Sequence, residues 1–263
     1  MNTTNIPMVG ILGMGFVGSA IHAFFPNAKT YDKYKGNQPF ETILATDILY
    51  LCLPTLFIDS SYDMTEVDDT LEKLSEARYT GVILVKSTVL PLYCSTANAK
   101  YPDLKIVHNP EFLTARTAAH DFAQQSHVVL GYTGESCAAV PIIETFYRMF
   151  FPKANISVVN AEVSALMKLT CNSFYAVKVQ FFTEIYLLCE HMGISYEQLK
   201  ELILKNKWVN PNHTTVPGPD GKISFGGACL PKDIKALNAF LEELQIPNKI
   251  LEASIQERNT MRE

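Results

Sequence analysis

The sequence predicts a doubly wound parallel α/β sheet in the first part of the chain and an all-helical domain with one long helix in the second part. Three observations predict this fold class. Short apolar runs alternate with helix-like segments as far as Val159, no strand-like run follows them, and a long, nearly uncharged stretch begins at Ala161. We therefore predict two domains, at residues 1–159 and 160–263.

The apolar runs of the first domain have the length of buried parallel strands. Between them lie segments with helix-like spacing, such as Thr65–Ala77 and Glu135–Phe150. Strands that alternate with helices are typical of a sheet covered by helices on both faces. The predicted strands are Met8–Leu12, Ala28–Tyr31, Ile48–Leu53, Val82–Val85, Leu104–Val107, Val128–Leu130 and Ile156–Val159.

The long helix of the second domain is predicted over Ala161–Met192, with Asn160 as its N-cap and Gly193 as its stop. A helix that is apolar on nearly every face must be covered on nearly every face. A second copy of the chain is the predicted cover, which makes a homodimer through residues 161–192. Between Val163 and Cys189 the charged residues are Lys168, Lys178 and Glu184.

The rest of the second domain is predicted to be helical around one long loop. Ser195 and Gln198 have the spacing of a capping box, which predicts a helix that ends near Lys205. A loop rich in proline and glycine follows. The loop is Trp208–Pro231, and the two last helices are Lys232–Leu244 and Asn248–Arg262.

Composition excludes several functional classes. The net charge of -5 gives no support for nucleic-acid binding. No uncharged apolar stretch is long enough to span a bilayer, so we predict no membrane association. The six cysteines have neither CxxC nor zinc-ligand spacing. We therefore expect no metal site and no disulfide framework, and a reducing cytoplasm as the location.

A glycine-rich turn follows the first predicted strand and opens a helix. It reads Gly13-Met-Gly15-Phe16-Val17-Gly18, and Asp32 ends the second strand. This context predicts a Rossmann-type dinucleotide site, in which the glycines admit the pyrophosphate to the helix N-terminus. Asp32 would accept hydrogen bonds from the adenosine ribose and repel a 2′-phosphate, so NAD is favoured over NADP. Flavin binding uses the same fingerprint and remains open at this point.

The stretch Phe225-Gly226-Gly-Ala-Cys229-Leu-Pro-Lys232-Asp233 predicts a chemical site. Its cysteine follows two glycines in a loop that runs into a helix. Backbone amides and the helix dipole at such a position favour the thiolate. The alternative is a buried structural cysteine, which is the commoner role of cysteines outside disulfides.

With this stretch the sequence resembles the UDP-glucose and GDP-mannose dehydrogenases, whose nucleophile loop has a closely similar sequence. Four further motifs resemble the family in the same order along the chain. A flavin enzyme would have no use for Cys229 and Lys168 at these positions. The further motifs are Leu53-Pro54-Thr55, Lys86-Ser87-Thr88-Val89, Asn109-Pro-Glu111-Phe112-Leu113, and Glu162 through Lys168 to Asn172.

The resemblance implies a four-electron oxidation of a sugar C6 alcohol to a carboxylate with two NAD in succession. It implies that Cys229 is the nucleophile, that Lys168 and Asn172 stabilise negative charge, and that Glu111, Asp233 and Thr88 manage protons and water. The cofactor residues would include Pro54, Thr55, Ser87, Thr88 and Lys232 beside the glycine turn and Asp32. The substrate residues would be Glu111, Phe112, Leu113, Lys168, Asn172, Phe225 and Gly226.

Other interpretations of single residues stay open. Lys168 could be a surface lysine whose stem lies along apolar surface, and Asp233 could be an ordinary acidic residue of a first helical turn. His108 is interpreted as structural, because nothing pairs it with a nucleophile.

The sequence departs from the family at three places. A polar residue near the nicotinamide is replaced by Ala115, and the family's cross-subunit arginine has no counterpart in 210–213. The chain ends where the family continues into a third domain, so we expect a short form that lacks the UDP-binding domain.

The leading functional hypothesis is an NAD-dependent nucleotide-sugar 6-dehydrogenase that converts UDP-glucose to UDP-glucuronate. One alternative is a dehydrogenase of another nucleotide sugar, such as GDP-mannose or a UDP-N-acetyl sugar, or of a small primary alcohol or hydroxy acid. Another is a catalytically silent NAD-binding scaffold.

Overall fold

A computed structural model describes residues 6–36 and 38–262. Each of the seven predicted strands is present, with ends that shift by no more than two residues. The structure adds a hairpin of two very short strands that the sequence analysis did not predict. The strands are β1 Val9–Leu12, β2 Lys29–Tyr31, β3 Ile48–Leu51, β4 Phe57–Ile58, β5 Ser61–Tyr62, β6 Val82–Val85, β7 Lys105–His108, β8 His127–Tyr132 and β9 Asn155–Asn160.

The main sheet has the order β2-β1-β3-β6-β7-β8-β9, and β4 pairs only with β5. Neighbouring strands of the main sheet are parallel, which confirms the α/β prediction, except that β8 runs antiparallel to β7. The sheet is therefore mostly parallel, with this one antiparallel pair. The connection from His108 to His127 begins and ends at the same edge of the sheet, which an antiparallel pair permits.

The helices follow the predicted positions closely. The long helix has the predicted bounds, and Gly193 after it has a φ of +67°, the left-handed conformation that ends helices. The segment predicted from Glu135 begins its α-helix only at Val140, where Pro141 occupies the first turn. The helices are α1 Phe16–Phe24, α2 Thr65–Glu76, α3 Tyr93–Lys100, α4 Ala118–Ala123, α5 Val140–Phe150, α6 Ala161–Met192, α7 Tyr196–Lys205, α8 Leu230–Glu243 and α9 Lys249–Arg262.

The chain forms two compact units. The first contains the described residues up to Leu56 together with Tyr62–Lys168, and the second contains Phe57–Ser61 and the described residues from Leu169 onward. The division falls within α6, whereas the predicted boundary precedes that helix. The start of α6 belongs with the sheet because Ala161 and Ala165 lie in one of its hydrophobic clusters.

The core of the first unit lies on both faces of the sheet. Successive strand residues point to opposite faces, so Tyr50 joins one hydrophobic cluster while its neighbours Leu49 and Leu51 join the other. Both clusters consist mainly of buried aliphatic and aromatic side chains. The sheet is thus covered on both sides, as a doubly wound fold requires.

The second unit contains most of α6, the helices α7, α8 and α9, the long loop before α8, and Phe57–Ser61 of the β4–β5 hairpin. Phe182 and Tyr196 are central to one of its clusters, and Phe225 and Ile234 to another. Ser195 caps α7 by accepting a hydrogen bond from the amide of Gln198, as predicted. No helix of the described residues is long and apolar enough to cross a membrane.

Candidate active site

The glycine turn after β1 has the geometry that dinucleotide binding demands. Gly13 has a φ of +89°, and a Cβ there would lie 2.5 Å from the Cys52 carbonyl oxygen. A Cβ on Gly18 would lie 1.9 Å from the Gly13 carbonyl oxygen, whereas one on Gly15 would meet no atom within 4 Å. The turn is therefore tight and closely packed on the protein side and open at Gly15. There the N-terminus of α1, with no acidic residue in its first turn, can receive a phosphate.

Asp32 directly follows β2 and lies beside this turn. Its carboxylate accepts hydrogen bonds from the amides of Met14 at 2.7 Å and of Tyr34 and Lys35 at 3.0 Å. Burial raises the pKa of Asp32, but these bonds and the charge of Lys35 outweigh it, and the pKa lies below its ordinary value. The carboxylate is ionised at neutral pH and retains acceptor capacity for ribose hydroxyls. These residues fit NAD.

The loops after β3 and β6 are tied to each other. The Ser87 hydroxyl donates to the Leu53 carbonyl at 2.7 Å and accepts from the Leu53 amide at 3.1 Å. The Thr55 hydroxyl donates to the Thr88 carbonyl at 2.8 Å. These predicted cofactor residues and Pro54 therefore lie in two connected loops that follow the carboxyl ends of β3 and β6. Thr88 remains partly accessible.

Glu111 and Lys168 form a buried ion pair in the first unit. Lys168 Nζ donates to the Glu111 carbonyl oxygen at 2.6 Å and to Glu111 Oε1 at 3.2 Å, and both side chains are less than a tenth exposed. The second carboxylate oxygen accepts from the Leu113 amide at 2.7 Å, and the Phe112 ring lies 5.2 Å from Nζ. Lys168 is therefore not a surface lysine. Its ammonium has three N–H donors, and Glu111 takes two of them.

A second buried lysine of the first unit is Lys86, to which the sequence analysis gave no role. Lys86 Nζ donates to Asn109 Oδ1 at 3.1 Å and to the Pro110 carbonyl at 3.2 Å. Tyr147 donates to the same Asn109 oxygen at 2.5 Å. Burial, with the charge of Lys168, lowers the pKa of Lys86 to about 8. A lysine that directly follows a buried strand was the available sequence signal.

His108 is fully buried at the end of β7, and its Nδ1 lies 2.8 Å from the Ser164 hydroxyl. Burial, then the charges of Lys86 and Lys168, lower the pKa of His108 to about 3. The imidazole is therefore neutral across the physiological range. This environment agrees with the structural interpretation.

The second unit brings together Asn172, Lys232 and Asp233. Asp233 is fully buried and accepts hydrogen bonds from Asn172 Nδ2 and Lys232 Nζ, each at 2.5 Å. The Asp233 amide donates to the Cys229 carbonyl at 3.0 Å, within the first turn of α8. Asp233 is thus more than an exposed acid at a helix start, because its carboxylate organises polar groups from α6 and α8.

Cys229 is the N-cap residue of α8 and is partly exposed. Gly227 before it has a φ of +78°, and Phe225 is 1 % exposed in a hydrophobic cluster of the second unit. The thiol therefore lies at a helix N-terminus on a firmly packed loop, where the dipole favours an anion. None of the six cysteines, all in the described ranges, forms a disulfide.

Two of the three departures from the family sequence, Ala115 and the stretch 210–213, lie within the residues that the structure describes. Ala115 is exposed in the loop after Leu113. In the stretch 210–213, His213 stacks on the Tyr175 ring at 4.4 Å. Within the part of the chain that the structure describes, no group of three or more His, Cys, Asp or Glu residues could hold a metal ion.

Comparison with known proteins identifies the family of the chain. Residues 26–151 match the NAD binding domain of the UDP-glucose/GDP-mannose dehydrogenase family, and residues 162–260 match its central domain. The chain belongs to the UDP-glucose/GDP-mannose dehydrogenase family. The match to the NAD binding domain confirms the prediction of NAD as the cofactor.

Individual members of the UDP-glucose/GDP-mannose dehydrogenase family are moderately similar in sequence. UDP-glucose 6-dehydrogenase of Rickettsia typhi is 32% identical over 200 residues, which is 74% of this chain and 44% of that protein. GDP-mannose 6-dehydrogenase of Pseudomonas aeruginosa is 26% identical over 270 residues, 95% of this chain and 60% of that protein. The chain thus spans about half the length of the curated relatives it matches.

Solved structures share the fold. A UDP-glucose dehydrogenase from Pyrobaculum islandicum superposes with a TM-score of 0.84 at 22% identity, covering 99% of this chain and 69% of that one. A 3-hydroxyisobutyrate dehydrogenase of Mycobacterium tuberculosis superposes with a TM-score of 0.70 at 17% identity, covering 96% and 92%. At these identities the likeness establishes the fold alone, so functional arguments must come from the residues.

The carboxylate of Asp32 leads to a testable prediction about cofactor choice. NAD should bind more tightly than NADP to the wild type, because the ionised Asp32 carboxylate repels a 2′-phosphate. Asp32→Ala should weaken NAD binding and reduce the difference in affinity between NAD and NADP. Titration calorimetry with both cofactors measures these affinities. Asp103→Ala, which removes an exposed acid before β7, is the control and should change neither affinity. Equal affinities of the wild type for both cofactors would contradict the role of Asp32.

Proposed function

We propose that the chain is an NAD-dependent nucleotide-sugar 6-dehydrogenase that oxidises UDP-glucose to UDP-glucuronate. The observation that carries this proposal is that both the NAD binding and the central domain of the family match along one chain. Several of the more similar relatives are UDP-glucose 6-dehydrogenases. The chain spans 44% of the first of these.

The overall reaction converts the C6 alcohol and one water to a carboxylate. NAD, when bound, would supply the hydride acceptor for each of the two oxidations. The residues of the first unit that would hold this cofactor are the glycine turn, Asp32, Pro54, Thr55, Ser87 and Thr88. Their part is to orient the cofactor at the carboxyl edge of the sheet, where doubly wound folds bind their ligands.

Cys229 would carry the covalent part of the reaction. Its thiolate adds to the C6 aldehyde carbon and forms a thiohemiacetal, whose oxidation gives a thioester. Water then attacks the thioester carbon, the carbon–sulfur bond breaks, and the acid leaves with the thiolate restored. The position of Cys229 at the N-terminus of α8 supports the thiolate in both the attacking and the leaving role.

Lys168 and Asn172 would stabilise the negative charge on the C6 oxygen. They are four residues apart on α6, so both belong to one helix face. Glu111 occupies two of the three Lys168 donors, and Asp233 occupies one of the two Asn172 amide donors. Each side chain therefore keeps one N–H to offer an oxyanion, and such donors contribute strongly to acyl chemistry.

Glu111 and Asp233 would accept and donate protons during the reaction, and Thr88 would hold a water molecule. Asp233 accepts hydrogen bonds from Asn172 and Lys232. Proton transfer to or from its carboxylate would therefore alter the hydrogen bond of Asn172, which is proposed to stabilise charge. Glu111 is fixed by Lys168 in the same manner. Phe112, Leu113, Phe225 and Gly226 would line the substrate.

The deciding experiment is a count of NADH formed per sugar consumed with UDP-glucose, GDP-mannose and a UDP-N-acetyl sugar. The proposal expects UDP-glucose to be oxidised with two NADH per acid formed. Preference for another nucleotide sugar would keep the reaction and change the substrate. One NADH per substrate molecule, or activity only with a hydroxy acid, would favour a dehydrogenase of a small primary alcohol or hydroxy acid. A 3-hydroxyisobutyrate dehydrogenase is among the solved structures that share the fold. NAD binding without any oxidation would indicate a scaffold.

We propose that the chain forms a homodimer through α6. Phe174, Phe181 and Leu188 are each more than half exposed and recur every seven residues, which places them on one stripe of the helix. Tyr175, Phe182 and Ile185 instead face the unit's own interior or its border. A stripe of this kind is the usual signature of a helix-to-helix interface, and a second copy of α6 is its proposed cover.

The homodimer is tested by Phe181→Glu, which should produce monomers in sedimentation velocity at low micromolar concentration. The charge would be buried against the partner helix without compensation. Leu202→Glu is the matched control, since Leu202 is 63% exposed on α7 and lies outside the stripe. A monomeric wild type, or a Phe181→Glu variant that stays dimeric, would contradict the interface. Phe182, 4% exposed, is unsuitable because its replacement would damage the core.

We also propose a cytoplasmic location. The six cysteines form no disulfide within the described ranges, and disulfides are rare in reducing compartments.

A further inference from the structure

The loop that precedes Cys229 has no regular structure, yet Arg262 on α9 holds it closely. Arg262 Nε donates to the Ile223 carbonyl at 2.6 Å, and Nη2 donates to the Ser224 carbonyl at 2.8 Å. The same guanidinium pairs in bidentate fashion with Asp220, at 2.7 and 3.1 Å. Its side chain is only 8% exposed. With a longer bond of 3.4 Å to the Lys222 carbonyl, this arginine contacts four of the five residues 220–224.

Gly226 packs closely against this arginine. A Cβ on Gly226 would lie 2.1 Å from Arg262 Nη1 and 2.8 Å from Cζ. Gly226 has no positive φ, in contrast to Gly227 at +78°. The need for glycine at 226 is therefore one of space, because the loop backbone lies directly against the guanidinium group.

The other side of the loop is tied to α6. The Ser224 amide donates to the Thr183 hydroxyl at 3.0 Å, and the Ser224 hydroxyl donates to Gln180 Oε1 at 2.6 Å. Phe225 is buried next to Ala176 of the same helix. The loop is thus held between α6 and α9, and Cys229 begins α8 three residues after Gly226.

We propose that Arg262, seated against Gly226, is the positioning residue that fixes the Cys229 loop for covalent chemistry. Arginine suits this task because its rigid fork of N–H donors can satisfy several carbonyl oxygens and a carboxylate together, which a lysine ammonium cannot do. The inference rests on the proposed role of Cys229. The placement of the loop by Arg262 can nevertheless be measured without turnover.

The first test is hydrogen exchange of the backbone amides in the loop, compared among wild type, Arg262→Gln, Arg262→Lys and Arg258→Gln. Both changes at Arg262 should speed exchange at 220–228 by about tenfold or more, since charge-assisted bonds are lost, while α7 stays protected. Arg258 is one turn earlier on α9 and donates to Asn259, so Arg258→Gln should leave the loop unchanged. Equal loosening by Arg258→Gln, or none by Arg262→Gln, would overturn the proposal.

The second test is a double-mutant cycle between Gly226 and Arg262. Gly226→Ala should displace the guanidinium and loosen the loop as Arg262→Gln does. The double variant should then be no worse than either single variant, because both remove one contact. Fully additive effects would show that the two residues act separately and would overturn the proposal. If Arg262→Gln does not fold, Asp220→Asn removes only the bidentate pair and should give a smaller effect on the same amides.

Activity supplies the third readout. Arg262→Lys should lower kcat by about a hundredfold, the order expected when a reacting group is misplaced by about 1 Å, with the KM for NAD unchanged. Loose exchange with full kcat would mean that loop position does not matter to the reaction, which overturns the positioning role. If the wild type oxidises no sugar, the proposed function fails, but the exchange data still decide whether Arg262 fixes the loop.

Discussion

Cys229→Ala should abolish formation of the sugar acid while leaving the protein folded and able to bind NAD. The side chain lies at the start of α8 and is partly exposed, so its loss leaves no buried cavity of consequence. Without the thiol, no thiohemiacetal forms and the second oxidation has no covalent route. Cys229→Ser should stall after the first oxidation, with an aldehyde-level or covalent species accumulating. Acid and NADH are measured together by mass spectrometry and absorbance.

Cys137→Ala is the matched control. Cys137 is exposed and belongs to the first unit, whereas the proposed nucleophile loop belongs to the second. Its replacement should leave both NADH per sugar and the thermal midpoint unchanged. Full turnover by Cys229→Ala would rule out the covalent mechanism for this chain, and a hydroxy-acid or simple alcohol dehydrogenase would become the better interpretation.

The elements that were predicted well share a strong local signal. α6 has the predicted bounds, since its charges are sparse, its first residues follow a strand and Gly193 supplies a left-handed stop. The seven main strands were found because each is a compact apolar run. The β4–β5 hairpin was missed because two-residue strands carry no periodicity, and its turn at Asp59 and Ser60 uses positive φ values at residues other than glycine.

Other features depend on tertiary structure that local patterns do not encode. The hydrophobicity of β8 predicts a strand but not its direction, so the antiparallel pairing with β7 could not be inferred. Lys86 looked like an ordinary motif residue, whereas its burial depends on acceptors from Asn109 and Pro110. Arg262 was predicted only as the end of a helix, because its contacts with the loop join residues about forty positions apart.

The candidate site was predicted as a set of residues without their partners. The sequence analysis assigned Glu111 and Lys168 separate tasks, but the structure joins them as an ion pair. It also joins Asn172 to Asp233. Each residue of α6 that is proposed to stabilise charge is therefore linked to an acid that is proposed to transfer protons, and a single substitution should disturb both proposed functions.

Lys168→Met should lower kcat by about two to three orders of magnitude, as the loss of an oxyanion donor typically does, with a smaller change in the KM for the sugar nucleotide. The variant also leaves Glu111 buried without its cation, and breaking a buried pair from one side costs about 3–5 kcal/mol. A lower thermal midpoint is therefore expected along with the lower rate, and the two effects must be separated.

The double variant Lys168→Met with Glu111→Gln separates them. Neutral partners remove the uncompensated charge, so stability should recover in thermal unfolding, while kcat should remain low because no ammonium faces the C6 oxygen. Lys178→Met on the same helix is the control: Lys178 donates to the Asn210 carbonyl, and its loss should leave kcat unchanged. If the double variant recovers the rate together with stability, Lys168 serves only to neutralise Glu111. A Lys168→Met variant that loses substrate binding but keeps its maximal rate would instead make Lys168 an anchor for the substrate.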